Sequence, residues 1–257
     1  MKKNIQLIWD FDDTIVQTYV EFEKTNQQAA EIIARDVYGE IRNVQEIKSY
    51  QRKIDVEMIS SYGFVPERFL IGWLDTYDHF LEENRKVENL STKDEIQKTV
   101  KDVYLRKYHN VPGAISVLKQ LKLEGYSSMI LTAGVDRIQK RKIVESGANH
   151  YVDHVYVYPQ KTPDTLKEII RRHPASDYVM IGNSLKSDIY PALANDVWGF
   201  HYEQETWEAD HYEIDTKNKK YVSVSSISQI PNELQIHVKI GQSEISQPFK
   251  VGSAGLL

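Results

Sequence analysis

Apolar positions along the chain follow two rhythms, and the change between them divides it. Ile5 to Trp9 is a short unbroken apolar run that ends at acids, the texture of a strand buried in a parallel sheet. Behind it Ala29, Ile33 and Val37 recur every fourth residue, as do Ile54 with Met58 and Phe69 with Trp73 and Tyr77, while Ile96, Val100, Val103 and Tyr104 follow a three-four pattern. That rhythm predicts about four amphipathic helices after the first strand. Pro66 suits the first turn of the third, and Thr92 with Glu95 stand at capping-box spacing before the last.

From Val111 the texture alternates. The pattern predicts helix Pro112–Leu123 closed by Gly125, strand Tyr126–Leu131, helix Asp136–Glu145 closed by Gly147 and strand His154–Val157. Helix Pro163–Arg172, strand Tyr178–Ile181, helix Ser187–Ala194 and strand Val197–His201 continue the series. Such alternation predicts an α/β fold, a Rossmann-like parallel sheet with helices on both faces. Ile5–Trp9 has no partner helix nearby, so it joins that sheet as first strand, with an inserted all-helical domain between strands one and two. Tyr221–Ser225 and Leu234–Ile240 alternate apolar with polar and read as half-exposed edge strands, one of which would offer a route to a homodimer. The expected division is a discontinuous core over 1–15 and 108–233, a helical insertion over 16–107, and an edge strand with a flexible tail over 234–257.

With 257 residues, 41% hydrophobic and 27% charged, the chain can bury one sizeable core plus a smaller attached module. Its net charge of −5 is spread over interspersed acids and bases, which predicts neither a nucleic-acid nor an anionic-membrane partner. The absence of cysteine removes disulfides, thiolate metal sites and thiol nucleophiles together. No apolar run is long enough for a signal peptide core or a membrane span, and the expected location is cytoplasmic.

Candidate chemistry gathers after the strands, where open parallel sheets bind ligands. Asp10, Asp12, Asp13 and Thr14 follow the first strand, Thr132, Ala133 and Gly134 the second, Lys161 the third, and Gly182, Asn183, Ser184 and Asp188 the fourth. Singly, each has an ordinary explanation as a turn residue, a helix cap or a solvated lysine. Turn chemistry, however, gives no reason to place carboxylates at two strand ends, a lysine at a third and a hydroxyl at the fourth. Carboxylates crowded into one loop repel and need a cation, and an oxygen-only set without His or Cys selects a hard ion such as Mg²⁺. Such an ion keeps positions free for water and a phosphate oxygen. Lys161 would screen a nucleophilic carboxylate from an incoming phosphate, while Thr132 and the backbone N–H groups after it would take the remaining phosphate oxygens.

These residues resemble the four motifs of the haloacid dehalogenase superfamily of phosphohydrolases. Asp10-Phe11-Asp12-Asp13-Thr14 is similar to its first motif, Ile130-Leu131-Thr132 to its second, Lys161 to its third and Gly182 to Asp188 to its fourth. The resemblance runs in order from Leu7 to about Trp207 and includes Pro112-Gly113, Gln139 with Lys142, and Pro191-Ala192-Leu193. It implies a Mg²⁺-dependent phosphomonoester hydrolase acting on a small phosphorylated metabolite. Asp10 would be nucleophile and metal ligand, Asp12 the proton shuttle and a ligand through its carbonyl, Asp188 a further ligand, and Thr132, Ala133 and Lys161 the phosphate-binding groups. The helical insertion would be a cap that chooses the substrate. Cap aromatics Tyr19, Trp73, Tyr77 and Phe80 stand either as pocket lining or as the cap's own core.

The chain departs from the pattern at Asn183, where relatives carry an acid, leaving an amide as ligand or as a group orienting water. Asp196 stands where relatives often have glycine. Asp12 argues against a dehalogenase, whose halide needs no acid. A phosphonatase would need a cap lysine, and Lys24, Lys48, Lys53 and Lys86 each read as solvated helix charges. A sugar-phosphate mutase uses the same two aspartates, and a non-catalytic phosphate-ligand-binding regulator would keep the fold without turnover.

Overall fold

The computed structural model describes residues 4–207 and 212–238. Six parallel strands, β1 (Ile5–Trp9), β2 (Ser127–Ala133), β3 (His154–Tyr158), β4 (Asp177–Gly182), β5 (Trp198–Tyr202) and β6 (Tyr221–Val224), form one sheet in the order β3-β2-β1-β4-β5-β6. β1 lies in the middle, in register with β2 (Leu7 beside Ser128) and with β4 (Leu7 beside Val179). The chain winds outward from it in both directions, so the order reverses between β1 and β4 and the crevice for a ligand opens at their carboxyl ends.

Every residue of β1 is buried, which is why it reads as an apolar run and not as an alternation. Leu7 and Trp9 face a core shared with helices α5 (Ala114–Leu123) and α9 (Ile230–Glu233), while Ile8 faces the opposite layer with α7 (Pro163–Arg172) and α8 (Tyr190–Ala194). α6 (Asp136–Ser146) follows β2 and ends at Gly147, whose φ of 79° suits a residue without Cβ.

Between β1 and β2 stand α1 (Tyr19–Tyr38), α2 (Val44–Tyr62), α3 (Pro66–Glu83) and α4 (Leu90–Asp102), followed by a 3₁₀ turn at Val103–Leu105. They enclose their own apolar core, in which Ile33, Ile47, Trp73, Tyr77, Phe80 and Val100 are buried, so those three aromatics are core and not pocket lining. Pro66 opens α3 as expected. α4, by contrast, is capped by Asn89, whose side chain accepts the Ser91 N–H at 3.0 Å. Thr92 already lies within the helix and its hydroxyl donates to Asp36 at 3.1 Å, so the expected capping box does not form.

The four-helix unit leaves and re-enters the core through adjacent backbone. Val16 bridges Asn110, the Gln17 N–H donates to His109 O at 2.8 Å, and the Val111 N–H donates to Ile15 O at 2.9 Å.

Two further expectations change. The helix predicted over Ser187–Ala194 divides into a wide π turn, Leu185–Ile189, and α8, because the Ile189 N–H reaches back to Ser184 O at 3.2 Å while Pro191 supplies a fresh helix start. Leu234–Val238, read as an edge strand, is a second π turn continuing α9. Ile230, Leu234 and Val238 are buried at a spacing of four, and Ile236 is left 42% exposed. The period-two pattern was therefore a coincidence of a helical face, and β6 is the strand at that edge of the sheet. Residues 239 and 240, and the expected tail over 241–257, lie outside the described residues.

This assignment predicts unequal losses. Leu234→Ala should destabilise by about 2–5 kcal/mol and Ile236→Ala by less than about 0.5 kcal/mol in denaturant unfolding. Equal losses would return the segment to a strand with both residues on one face.

Candidate active site

The loops after β1 and β4 bring together the acids that the sequence places there. Asp10, the first residue beyond β1, is tied to β4 by its N–H, which donates to Ile181 O at 2.8 Å. Asp188 returns from the π turn to the end of β4, where its Oδ2 accepts the Ser184 N–H at 3.0 Å. That return requires a bare backbone, because a Cβ on Gly182 would stand 2.3 Å from Asp188 Oδ2. Lys161, at the end of the β3 loop, donates to Asp10 Oδ1 and Asp188 Oδ1, each at 2.5 Å. Asp10 and Asp188 are buried with it.

Asp12 sits in a second cluster. It accepts from Thr18 Oγ1 at 2.5 Å, from Gln139 Nε2 at 2.6 Å and from Lys142. Gln139 Nε2 also lies 2.7 Å from Thr132 Oγ1 and 2.9 Å from Ala133 O, so one amide joins the ends of β1 and β2. Gln139 and Lys142 carried no assigned role in the sequence. They stand one helical turn apart on α6, a spacing shared by any polar helix face, and only the fold shows that both are buried and face Asp12. His201 on β5 was not singled out either; its Nε2 stands 3.1 Å from Asn183 O, and the carbonyl there fixes which ring nitrogen carries the proton.

Asp13 takes a left-handed φ of 59°, which turns its carboxyl toward α1, where Oδ1 accepts the Thr18 and Tyr19 N–H groups at 2.7 and 2.8 Å. An acid of the site loop thus caps the first helix of the inserted unit. The other left-handed residue flagged by the sequence, Asp196, has φ of 56°, supporting a turn and not the site.

Burial pushes Asp10 up and both Asp13 and Asp188 up to about 7, with Lys161 opposing the shift at Asp10 and Asp188. Burial alone would depress the Lys161 ammonium, but the charges of Asp10 and Asp188 outweigh it and raise its value. For Asp12 burial is likewise outweighed: Lys142, with hydrogen bonds from Lys142, Thr18 and Gln139, holds it below the ordinary carboxylate value.

The donor set fits a hard cation. Asn183 Oδ1 faces Asp12 O at 3.2 Å and Asp10 Oδ2 at 3.3 Å, oxygen against oxygen, and only Thr14 Oγ1 offers it a proton, at 3.2 Å. Such a cluster is relieved either by a cation between the oxygens or by rotation of the amide, which would then donate to both. Two carboxylates, a backbone carbonyl and an amide oxygen are ligands for Mg²⁺ and poor ones for softer ions. Among the described residues no group of three or more His, Cys, Asp or Glu side chains has metal-ligand geometry, so a hard cation here would need the Asp12 carbonyl and the Asn183 amide oxygen beside the two carboxylates.

A continuous cavity of about 500 Å³ runs from Asp10, Lys161 and Thr132 up between the helices of the inserted unit, past Tyr19 and Phe22. None of Lys24, Lys48, Lys53 and Lys86 borders it, which leaves a phosphonate-type lysine without a place. No helix among the described residues is long and apolar enough to cross a membrane.

Comparison with known proteins agrees with this geometry. The sequence model of the haloacid dehalogenase-like hydrolases matches residues 7–196. A glyceraldehyde 3-phosphate phosphatase of Pyrococcus furiosus is 28% identical over 249 residues, covering 92% of this chain and 94% of that protein. A haloacid dehalogenase-like hydrolase from Xanthomonas campestris superposes with a TM-score of 0.75 at 18% identity, over 94% of this chain and 100% of its own. A related Bacillus subtilis hydrolase, whose structure is bound to magnesium and shows interdomain movement, superposes with a TM-score of 0.59 at 16% identity over 91% of this chain and 100% of its own.

The buried acids predict a pH-dependent benefit of metal. A carboxyl whose folded value is raised stabilises the fold below its unfolded value near 3.8 and loses that contribution as pH rises through the folded value, which is about 7 for Asp13 and Asp188; Asp10 shifts in the same direction. Asp12 contributes in the opposite sense, above 3.8. In chelator the melting temperature should therefore fall between about pH 5 and 8, and Mg²⁺ should raise it more at pH 8 than at pH 5. A Mg²⁺ increment that is the same at both pH values would contradict this electrostatic picture.

Proposed function

The chain belongs to the haloacid dehalogenase-like hydrolases, and we propose that within them it is a Mg²⁺-dependent phosphomonoester hydrolase that works through an aspartyl-phosphate on Asp10. The observation that carries this reading is the buried Lys161, which holds Asp10 and Asp188 together at the switch point of the sheet. The activity of the Pyrococcus relative supports it, and the magnesium of the Bacillus hydrolase supports the choice of ion.

Asp10, Asp188, the Asp12 carbonyl and Asn183 would hold the ion, which supplies positive charge to phosphate oxygens and to the carboxylates around it. Lys161 lets a phosphate dianion approach a carboxylate that would otherwise repel it. Thr132 and the N–H groups after it bind the oxygens facing β2. An oxygen of Asp10 attacks phosphorus, the bond to the alcohol oxygen breaks, and Asp12 gives its proton to that oxygen. In the second half Asp12, again a carboxylate, takes a proton from water, the hydroxide attacks phosphorus, and the bond to Asp10 breaks to release phosphate. Lys142, Gln139 and Thr18 favour the carboxylate form of Asp12, which suits this second step; the negative charge of an incoming phosphate works the other way and favours the proton needed for the first. The four-helix unit is a cap in this reading, and Thr18 and Asp13 transmit its position to the reacting loop.

Asp10→Asn should leave neither turnover nor a labelled phosphoenzyme. Asp12→Asn should lose roughly 10²- to 10⁴-fold in rate and accumulate acid-labile label when the substrate is an aryl phosphate, whose aryl oxide leaves without a proton. Label held covalently by Asp10→Asn would remove the nucleophile from Asp10.

Asn183→Asp adds an acid facing Asp10 Oδ2. Mg²⁺ should then bind tighter, by about tenfold, and the metal-free protein should melt lower than the parent. Calorimetric titration and melting in chelator measure the two effects, and weaker binding would make the amide a donor and not a ligand.

A further inference from the structure

The cavity that rises from the reacting groups is larger and more apolar than a three-carbon sugar phosphate needs. Its 500 Å³ lies within the range of sites that enclose drug-sized ligands, on the order of 300–1,000 Å³. Phe22 on α1 is the hub of its wall, with ring centroids 5.2 Å from Phe69 on α3, 5.4 Å from Tyr104 and 5.5 Å from Trp207. Trp207 comes from the core, just beyond β5, and also meets Tyr19 at 5.0 Å, so core and cap build this wall jointly. Val56 and Ile59 of α2 and Phe64 extend the apolar lining on the far side.

The charges on the wall are already matched. Arg68 donates to both oxygens of Asp55 at 3.1 Å, Arg52 pairs with Glu23 at 3.4 Å, Lys142 with Asp12, and Lys161 with Asp10 and Asp188. A second phosphate or a carboxylate on the substrate would find no cation there, among the described residues, without a carboxylate partner. Asp13 also borders the cavity, its carboxyl taken up by the Thr18 and Tyr19 N–H groups, and beside it stand the neutral Asn26 and Gln51, whose Oδ1 and Nε2 have no hydrogen-bond partner among the described residues.

We infer, on the phosphatase reading above, that the substrate is the monophosphate ester of a bulky, uncharged, ring-bearing alcohol. Burying a ring against Phe22, Phe69 and Trp207 gives apolar transfer and edge-to-face contacts that a triose cannot make, and the hydroxyl and aldehyde of the triose would face aromatic carbon.

A series with matched leaving groups separates pocket from intrinsic reactivity: ethyl phosphate, 2-phenylethyl phosphate and 2-(2-naphthyl)ethyl phosphate are all esters of primary alcohols, with glyceraldehyde 3-phosphate as the fourth probe. With the Mg²⁺-loaded enzyme, kcat/KM should rise along the first three by roughly 100-fold overall and exceed that for the triose phosphate. Trp207→Ala, and separately Val56→Asp at an exposed wall position, should each lower the naphthylethyl-to-ethyl ratio by about fivefold or more. A flat series, or a preference for the triose phosphate, overturns the inference and leaves the phosphatase reading standing. Hydrolysis of none of the four removes the phosphatase reading and this inference with it.

Discussion

One ammonium group between two buried carboxylates organises this molecule. Lys161 stands 2.5 Å from both Asp10 and Asp188, groups from the two central strands that would repel each other without it. Paired burial of this kind contributes little to stability in comparison with apolar side chains of similar size, so its presence points to chemistry. Much of the surrounding architecture accommodates it. Gly182 leaves room for Asp188, the π turn brings that residue back over β4, and Asn183 replaces what would be another negative charge beside Asp10.

A second, separate charge balance surrounds Asp12. Because Lys142 lies over the rings of Phe11 and Tyr108 as well as against Asp12, its position is set by the packing of the core as much as by the carboxylate. The two aspartates of one loop thus have different partners and opposite shifts, Asp10 raised and Asp12 lowered. Carboxyls two residues apart with divergent proton affinities can take different parts in one reaction.

The sheet was legible because strand ends in this fold class coincide with changes of texture. Gly125 and Gly147 stand just after helices, Pro163 opens one, and the central strand β1 is a short apolar run. Leu234 to Val238 misled because its apolar residues satisfy a period of two, and only the burial of Ile230, two turns before Val238, separates the helical face from the strand pattern. In the site, Asp10, Asp12, Thr132, Lys161, Asn183 and Asp188 were visible because they stand at strand ends or in the loops that follow them. Gln139 and Lys142 were harder, since their contacts with Asp12 span 127 and 130 residues and nothing local distinguishes them from a polar helix face. Thr92 shows the complementary case: a local capping signal lost to a distant acceptor, Asp36.

The hydrogen-bonded stems at Ile15–Gln17 and His109–Val111 bear on how the chain finds its fold. For the core, joining β1 to β2 across an unstructured insertion would mean closing a loop of roughly 120 residues, from 10 to 126, with an entropic cost that grows as the logarithm of its length. The four helices make mostly local contacts, and once formed they bring their two ends side by side, so the core meets a short effective loop. A helix bundle that folds early would in this way act as an internal template for pairing β1 with β2, and an insertion of this size becomes compatible with fast assembly of a sheet whose own contacts are distant in sequence.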